Sequence, residues 1–260
     1  MKKYVISLET AVERRTHIYN EFSQKNLDFN FFNAVTPDKA IGIALDLKLN
    51  FNEETLARTE LACLISHILL WQMMIEQKEP YIAIFEDDIY LSDEAGSLLN
   101  RVDWIDPNYD VIKIEYFYKK VIKGLLSKKI KDSKSSVFQL KSPNLGAAGY
   151  ILSYNGAVKC LDLILNNIFV LPLDHVIFDK AIIKNRLNVF QIEPALCAQE
   201  MTINPSNIQV KLPSSLCKER SLRMQKNKKK GLSKIYHEIL RLFKQVKYVL
   251  MSRKVHFNHS

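Results

Sequence analysis

Three consecutive acidic residues, Glu86-Asp87-Asp88, follow directly on the apolar run Tyr81–Phe85. The run is short and rich in residues that favour β-structure, which predicts a buried strand. Neighbouring carboxylates repel one another unless a cation or water relieves them, and at the carboxyl end of a strand in an open α/β sheet they face the ligand crevice. Carboxylate oxygens are ligands that Mg²⁺ and Mn²⁺ prefer. The triplet therefore predicts a site for Mn²⁺ or Mg²⁺ that could bridge two phosphates, with an exposed acidic turn or a helix cap as the plain alternative.

Two further acidic positions are candidates for acid–base chemistry. Asp174 and His175 stand at the start of a predicted helix. They could complete the metal shell begun by Asp88, or Asp174 could act as a general base or only cap its helix. Glu115, near the end of a predicted strand, is the second candidate base. Metal ligands are therefore predicted at Asp88 and His175, and a catalytic carboxylate at Asp174 or Glu115.

Other side chains could bind a nucleotide. Arg14 and Arg15 come just after the first predicted strand, and a guanidinium group can stack on a base or pair with a phosphate; a solvated helix face is the alternative. His67 lies four residues before Trp71, a spacing that brings two side chains to one side of a helix, although a core histidine is an equal alternative. Gly149 could let the backbone approach a ligand closely, or it could simply form a turn.

Predicted strands that alternate with predicted helices position these residues. The strands are predicted at 4–8, 28–35, 81–85, 109–116, 147–153 and 189–192. The helices are predicted at 9–25, 59–79, 155–166 and 174–184. This alternation favours an α/β sandwich with a mostly parallel central sheet. The stretch 119–136, rich in lysine and serine, predicts a mobile loop.

The net charge of +9 is unevenly placed along the chain. Residues 211–260 hold fourteen Lys and Arg against two Glu, whereas residues 1–210 carry a net charge of −3. We therefore predict a catalytic body at 1–210 and a basic tail at 211–260. Apolar residues recur in the tail at helical spacing from Leu232 to Val249, which predicts an amphipathic helix on an anionic membrane surface. Packing on the body or on a second subunit is the alternative; nucleic acid is disfavoured because no recognition motif accompanies the charge.

Cysteines and apolar runs exclude several classes. The four cysteines, at 63, 160, 197 and 217, form no CxxC pair, so no zinc motif or redox pair is predicted. The apolar run after Met-Lys-Lys is too short for a signal peptide. No segment approaches the roughly 20 apolar residues that span a bilayer. A cytoplasmic protein, free or bound to a membrane surface, is expected.

Ordered motifs over roughly residues 1–200 resemble glycosyltransferase family 25, the lipooligosaccharide biosynthesis enzymes of Gram-negative bacteria. The segments that carry the resemblance are Tyr4–Leu8, Glu13–Arg15, Phe31–Val35, Glu60–Cys63, Ser66-His67, Trp71, Tyr81–Asp88, Gly146–Ser153, Pro172–His175 and Pro194–Cys197. Two departures stand out: Asn33 replaces the family's usual Asp, and Thr59-Glu60-Leu61-Ala62-Cys63 replaces the frequent Gly-Glu-Ile-Gly-Cys.

The resemblance implies a GT-A-like nucleotide-binding fold, a UDP-sugar donor and inversion at the anomeric carbon. Galactose is the favoured hexose and glucose the next, and the glycolipid acceptor implies a place at the inner face of the inner membrane. Carried onto matching positions, the resemblance implies that the donor is bound by Ser7, Arg14, Arg15, Asn33, Glu60, His67, Glu86, Asp87 and Gly149.

Two other function classes stay open. Another metal-dependent phosphate or nucleotide enzyme would use the same acids, but it would need a nucleophile or a phosphate-binding Gly-rich loop, and neither GxxxxGK[ST] nor DxDx[TV] is found. A non-catalytic membrane-surface adaptor would use the basic tail and leave the acidic triplet without a role. The sequence does not indicate an oligomeric state.

Overall fold

The computed structural model describes residues 1–52, 56–166, 171–203, 248 and 250–259. Most of the predicted basic tail, including its linker and its amphipathic segment up to residue 247, lies outside these described residues. Its membrane-binding role therefore stays a prediction. Among the described residues, no helix is both long enough and apolar enough to cross a bilayer.

Strands and helices alternate through the first half of the chain. They are β1 (Lys2–Ser7), α1 (Val12–Gln24), β2 (Asn30–Asn33), α2 (Pro37–Asp46), α3 (Arg58–Glu76), β3 (Tyr81–Glu86), β4 (Ile89–Leu91), α4 (Ala95–Leu99) and β5 (Val111–Lys113). The second half begins with β6 (Lys120–Lys129), β7 (Ser136–Leu140), β8 (Gly149–Ser153) and α5 (Tyr154–Leu165). It continues with α6 (Leu173–His175), the π-helical turn Val176–Lys180, α7 (Ala181–Ile183), β9 (Val189–Glu193), β10 (Cys197–Gln199), α8 (Glu200–Ile203) and β11 (Ser252–Lys254).

Within the described residues, nine strands form one sheet in the order β11-β6-β7-β9-β5-β8-β3-β1-β2, and β4 pairs with β10 separately. The α/β class predicted from the sequence is confirmed. The pairing is more mixed than predicted, because β8 runs antiparallel between β3 and β5, and the β6–β7 hairpin extends the sheet on the far side. Parallel pairing joins β2 to β1, β1 to β3 and β5 to β9.

The stretch 119–136 is not the loop that its composition predicts. Residues 120–129 form β6, which pairs with both β7 and β11. Val121 and Phe138 are buried, and they anchor the hairpin to the sheet. The lysines obscure the strand pattern because they lie on the exposed part of the strand, where charged side chains are common on sheet edges.

Apolar side chains cover both faces of the sheet. α3 packs on one face and buries Leu64, Ile68 and Trp71 completely. α1 packs on the other face, where the Phe22 ring lies 5.3 Å from the Phe85 ring in an edge-to-face contact. Each such fully buried side chain contributes about 1.5–3 kcal/mol to stability. The two layers hold α1 and α3 on opposite sides of the carboxyl ends of β1 and β3.

Candidate functional site

The parallel ladder β2-β1-β3 brings the predicted site residues to one edge of the sheet. In the β1–β2 register Ser7 lies opposite Asn33, and in the β1–β3 register Ile6 lies opposite Glu86. The carboxyl ends of these three strands therefore meet, and in open α/β sheets ligands bind in the crevice at such ends.

A cavity of about 250 Å³ opens at this edge. Six of the predicted site residues line it: Ser7, Arg14, His67, Glu86, Asp87 and Asp88. Thr59, Cys63 and Ser66 of α3 complete the polar lining, and apolar walls come from Ala34, Val35 and Pro37 among others. The cavity thus combines one cation, three carboxylates and a histidine.

Asp87 points toward α1. Its Oδ2 accepts a hydrogen bond from Ser7 Oγ at 2.7 Å, and its Oδ1 accepts one from Arg14 at 2.5 Å. Arg14 also lies 3.9 Å from Asp88. Burial opposes the charge on Arg14, but the two aspartates outweigh it and raise the pKa of Arg14 above its usual range. Asp87 therefore positions a permanently charged guanidinium in the cavity wall.

Glu86 and Asp88 turn the other way and share a single donor. The Gln199 side-chain nitrogen lies 3.1 Å from Glu86 Oε2 and 3.0 Å from Asp88 Oδ1. Burial, followed by repulsion from Asp88 and Glu115, raises the pKa of Glu86 well above its usual range. Burial also raises the pKa of Asp88, although Gln199 and Arg14 oppose the shift. Two converging carboxylates with one neutral donor between them are suited to a divalent cation.

His67 is enclosed at the cavity floor and is uncharged. Its Nδ1 lies 2.7 Å from Tyr150 Oη, and the same hydroxyl accepts a hydrogen bond from Trp71 Nε1 at 2.9 Å. Burial lowers the pKa of His67 to about 3. The His67 ring stacks on Tyr150, at 24° between planes, whereas it is tilted by 58° from Trp71. The predicted helical spacing therefore brings both side chains to the Tyr150 hydroxyl, with their ring centres 6.3 Å apart.

A second group of metal-binding atoms converges in the same cavity. Ligand atoms of Cys63, His67 and Glu86 lie within 4.8 Å of one another. The buried Nε2 atom of His67 has no hydrogen-bond partner. Burial, with the neighbouring carboxylates, raises the pKa of the Cys63 thiol well above its usual range. Among the described residues, this is the group in which three donor side chains converge, and Asp88 and His175 are not members.

His175, the other predicted metal ligand, lies beside Asp179 and outside the lining of the cavity. Its Nδ1 atom is 3.6 Å from Asp179 Oδ2, one turn further along the chain. It does not line the cavity. Its role as a ligand beside Asp88 stays a prediction that this arrangement does not favour.

The two candidate bases occupy a buried region behind the cavity. Glu115 is fully enclosed; its Oε2 accepts hydrogen bonds from Lys113 Nζ at 2.7 Å and from Ala148 N at 3.1 Å, and its Oε1 has no partner. Burial raises the pKa of Glu115 despite Lys113. Asp174 accepts from the amide of Gly146 at 3.5 Å, and its charge contributes to the raised pKa of Glu86. Neither carboxylate lines the cavity.

The remaining predicted residues have structural contacts. Arg15 donates to Asn33 Oδ1 at 2.5 Å and lies 4.5 Å from the centre of the Phe31 ring, so it braces the end of β2. Glu60 Oε2 accepts from the Ala57 amide at the start of α3, which is a helix-capping contact. Gly149 packs against a neighbouring strand rather than lining the cavity. Their role in binding a donor stays a prediction.

Comparison with known proteins identifies relatives. The family model described as "Glycosyltransferase family 25 (LPS biosynthesis protein)" matches residues 1–177. The lipooligosaccharide biosynthesis protein lic2B of Haemophilus influenzae is 35% identical, over 89% of this chain and 88% of that protein. The lipooligosaccharide biosynthesis protein lex-1 of the same species is 34% identical, over 95% and 93%. The lacto-N-neotetraose biosynthesis glycosyltransferase LgtE of Neisseria gonorrhoeae is 32% identical, over 77% and 75%.

Proposed function

The chain belongs to glycosyltransferase family 25, and on that premise we propose that it transfers a hexose from a UDP-sugar to a lipooligosaccharide acceptor, with inversion at the anomeric carbon. The observation that carries the proposal is the cavity at the carboxyl ends of β1 and β3, where Arg14 lies beside Glu86 and Asp88. A guanidinium next to converging carboxylates suits a diphosphate that is held partly by the cation and partly through a divalent ion.

The names of the relatives support the acceptor part of the proposal. Two of them are named for lipooligosaccharide biosynthesis and one for lacto-N-neotetraose biosynthesis. By likeness, the acceptor proposed here is the sugar portion of a glycolipid, reached from the inner face of the inner membrane. Galactose is the favoured hexose and glucose the next, as the family resemblance implies. A GT-A-like donor site is part of the same proposal.

Glu86 and Asp88 are the residues that would hold Mn²⁺ or Mg²⁺. They fit such an ion because Asp88 is buried and Glu86 half-buried, and because the two carboxylates converge on one amide and repel each other. A bound ion of this kind neutralises charge that develops on a departing diphosphate. Arg14 would pair with a phosphate oxygen, and Asp87 keeps Arg14 in place. Neutral His67 keeps a nitrogen, Nε2, available for a further contact.

Asp174 is the better candidate for the base that takes the acceptor's hydroxyl proton. Glu115 is fully enclosed and forms an ion pair with Lys113, so an acceptor hydroxyl cannot reach it without displacing protein atoms. Asp174 remains 7% exposed, and its charge contributes to the raised pKa of Glu86. A general base must come within hydrogen-bond reach of the proton that it abstracts.

Release of UDP from a panel of UDP-sugars in the presence of Mn²⁺ tests the proposal. We expect slow hydrolysis of one UDP-hexose in the absence of acceptor, and the Asp88→Ala variant should abolish it. Asp103→Ala is the matched control, because Asp103 is an exposed aspartate that pairs with Arg101 away from the cavity. No binding and no hydrolysis of any UDP-sugar would count against the proposal. Release of inorganic phosphate would instead favour another phosphate enzyme.

A further inference from the structure

Four large apolar side chains stand exposed along one edge of the sheet. Leu125 and Leu126 of β6 are 105% and 87% exposed, and Leu250 and Met251, just before β11, are 70% and 50% exposed. We call these four residues the leucine patch. Isolated apolar side chains on a surface are ordinary, but a contiguous group usually marks an interaction site.

An irregularity in the hairpin exposes the two leucines of β6. Lys123 pairs with Leu140 and Ser127 with Phe138, so that three residues, Gly124, Leu125 and Leu126, lie opposite Gln139 alone. The extra residues leave the ladder, as in a β-bulge, and their side chains project from the sheet. The register shift between Lys123 and Ser127 therefore accounts for the exposure of both leucines.

β11 brings the other half of the patch to the same place. It runs antiparallel to β6, with Ser252 opposite Ile122. This pairing ends at Ser252, and Met251, directly before it, lies near Ile122, three residues before Leu125. Tyr248 donates a hydrogen bond to the carbonyl of Lys120, which holds this segment against β6. Leu250 and Met251 thus reach the sheet close to Ile122, at the end of β6 that leads into the bulge.

Cations surround the leucine patch. The exposed basic residues on β6, its preceding loop and β11 are Lys119, Lys120, Lys128, Lys129, Arg253 and Lys254. Exposed lysines along an edge disfavour pairing with the same edge of a second copy, because like charges would meet. Apolar side chains inside a basic rim match the interface of an anionic bilayer, which offers hydrocarbon below a layer of phosphate groups.

We propose that the leucine patch and its basic rim bind an anionic lipid bilayer. The leucines enter the interface and the lysines and arginine contact lipid phosphates. The basic amphipathic segment that the sequence predicts ends at Val249, directly before Leu250, and lies outside the described residues. This inference deepens the proposed function and rests on it for its setting, since a glycolipid acceptor lies in such a bilayer.

Flotation with vesicles tests the inference on the full chain. The vesicles contain equal parts of phosphatidylcholine and phosphatidylglycerol, with pure phosphatidylcholine as the neutral comparison. We expect Leu125→Ser/Leu126→Ser to lower binding to the anionic vesicles about tenfold, since two exposed leucines lose their burial in lipid. Leu45→Ser is the matched control, because Leu45 is 65% exposed on α2, outside the patch. It should bind as the unmodified protein does.

Three results would overturn the inference. The first is that the unmodified chain does not bind the vesicles, and the second is that the double variant binds them equally well. The third is that the double variant loses only self-association in a mass measurement, which would assign the patch to contact with a second copy of the chain. Hydrolysis of UDP-sugar in solution keeps the two proposals apart. If the chain binds vesicles but hydrolyses no donor, the proposed function is wrong and the membrane inference stands. If it hydrolyses a donor but binds no vesicles, the membrane inference is wrong and the proposed function stands.

Discussion

Gln199 and Asp88 are joined by a hydrogen bond of 3.0 Å, and the same amide nitrogen reaches Glu86 at 3.1 Å. The three acids therefore make two different sets of contacts. The outer acids, Glu86 and Asp88, converge on Gln199, whereas Asp87 faces Ser7 and Arg14. One short run of like charges therefore supplies both a paired carboxylate site and the anchor for a cation.

Replacing Gln199 by leucine tests whether the amide holds the acidic pair in place. Gln199→Leu keeps similar bulk but removes the donor that Glu86 and Asp88 share, so the repulsion between the two carboxylates increases. We expect the Mn²⁺ concentration for half-maximal UDP release to rise about tenfold, within the range found for residues that orient metal ligands. Titration of the rate with Mn²⁺ measures this. Unchanged Mn²⁺ dependence would show that Gln199 only fills space.

Cys63 separates two possible sets of metal ligands. If Glu86 and Asp88 hold the ion, Cys63→Ser leaves UDP release with Mn²⁺ close to that of the unmodified protein, because Mn²⁺ favours oxygen ligands. If Co²⁺ binds instead at Cys63, His67 and Glu86, the unmodified protein should show the charge-transfer absorption of a thiolate ligand, and Cys63→Ser should lack it. Cys160→Ala is the control, since Cys160 is buried in α5, away from the cavity lining. Loss of Mn²⁺-supported release in Cys63→Ser would move the ion toward Cys63 and His67.

His67 makes stability depend on pH. The pKa of His67 is about 3 in the folded chain against an ordinary value of 6.5, so the unfolded chain binds a proton first as the pH falls. The contribution of His67 to the free energy of unfolding is therefore fully present above pH 6.5. Below pH 6.5 this contribution decreases by about 1.4 kcal/mol per pH unit, until the pKa of the folded state is reached. Acids with raised pKa values oppose this trend in the whole protein, so the comparison must be with His67→Gln.

Urea unfolding at several pH values measures that difference. The free energy of unfolding of the unmodified protein, minus that of His67→Gln, should shrink between about pH 6.5 and pH 5. A difference that stays constant over this interval would mean that the pKa of His67 in the folded chain is not lowered below its ordinary value.

Local sequence order predicted part of the site. The acidic triplet follows a buried strand directly, so its place at the sheet edge could be read from residues 81–88 alone. Ser7 ends β1, the neighbouring strand of the same parallel ladder, and Arg14 lies on α1, which follows β1; both line the cavity. Periodicity and strand ends carry this information because neighbouring parallel strands bring their carboxyl ends together.

Contacts between distant segments could not be predicted in the same way. Gln199 reaches Asp88 from 111 positions further along the chain, and Tyr150 reaches His67 from 83. Nothing in the sequence near Gln199 distinguishes it from a surface glutamine. The sequence does not predict the hairpin at 120–140, because exposed lysines mask its alternation. The prediction for His175 rests on its residue type and on the resemblance, whereas the orientation of its helix decides where the side chain lies.

Gly149 offers a direct test of packing behind the site. A Cβ atom at this position would lie 2.1 Å from Cys197 Sγ, so Gly149→Ala should destabilise the protein by about 1–3 kcal/mol through overpacking. Gly42→Ala is the matched control, because no atom lies within 4 Å of its Cβ position in α2, and removing a helical glycine stabilises by about 0.5–1 kcal/mol. Cys197→Gly should restore part of the loss in the Gly149→Ala background, since it vacates the space. Thermal or urea unfolding measures the stability of all three variants. Equal stability of Gly149→Ala and the unmodified chain would show that β8 and β10 are less tightly packed than this contact requires.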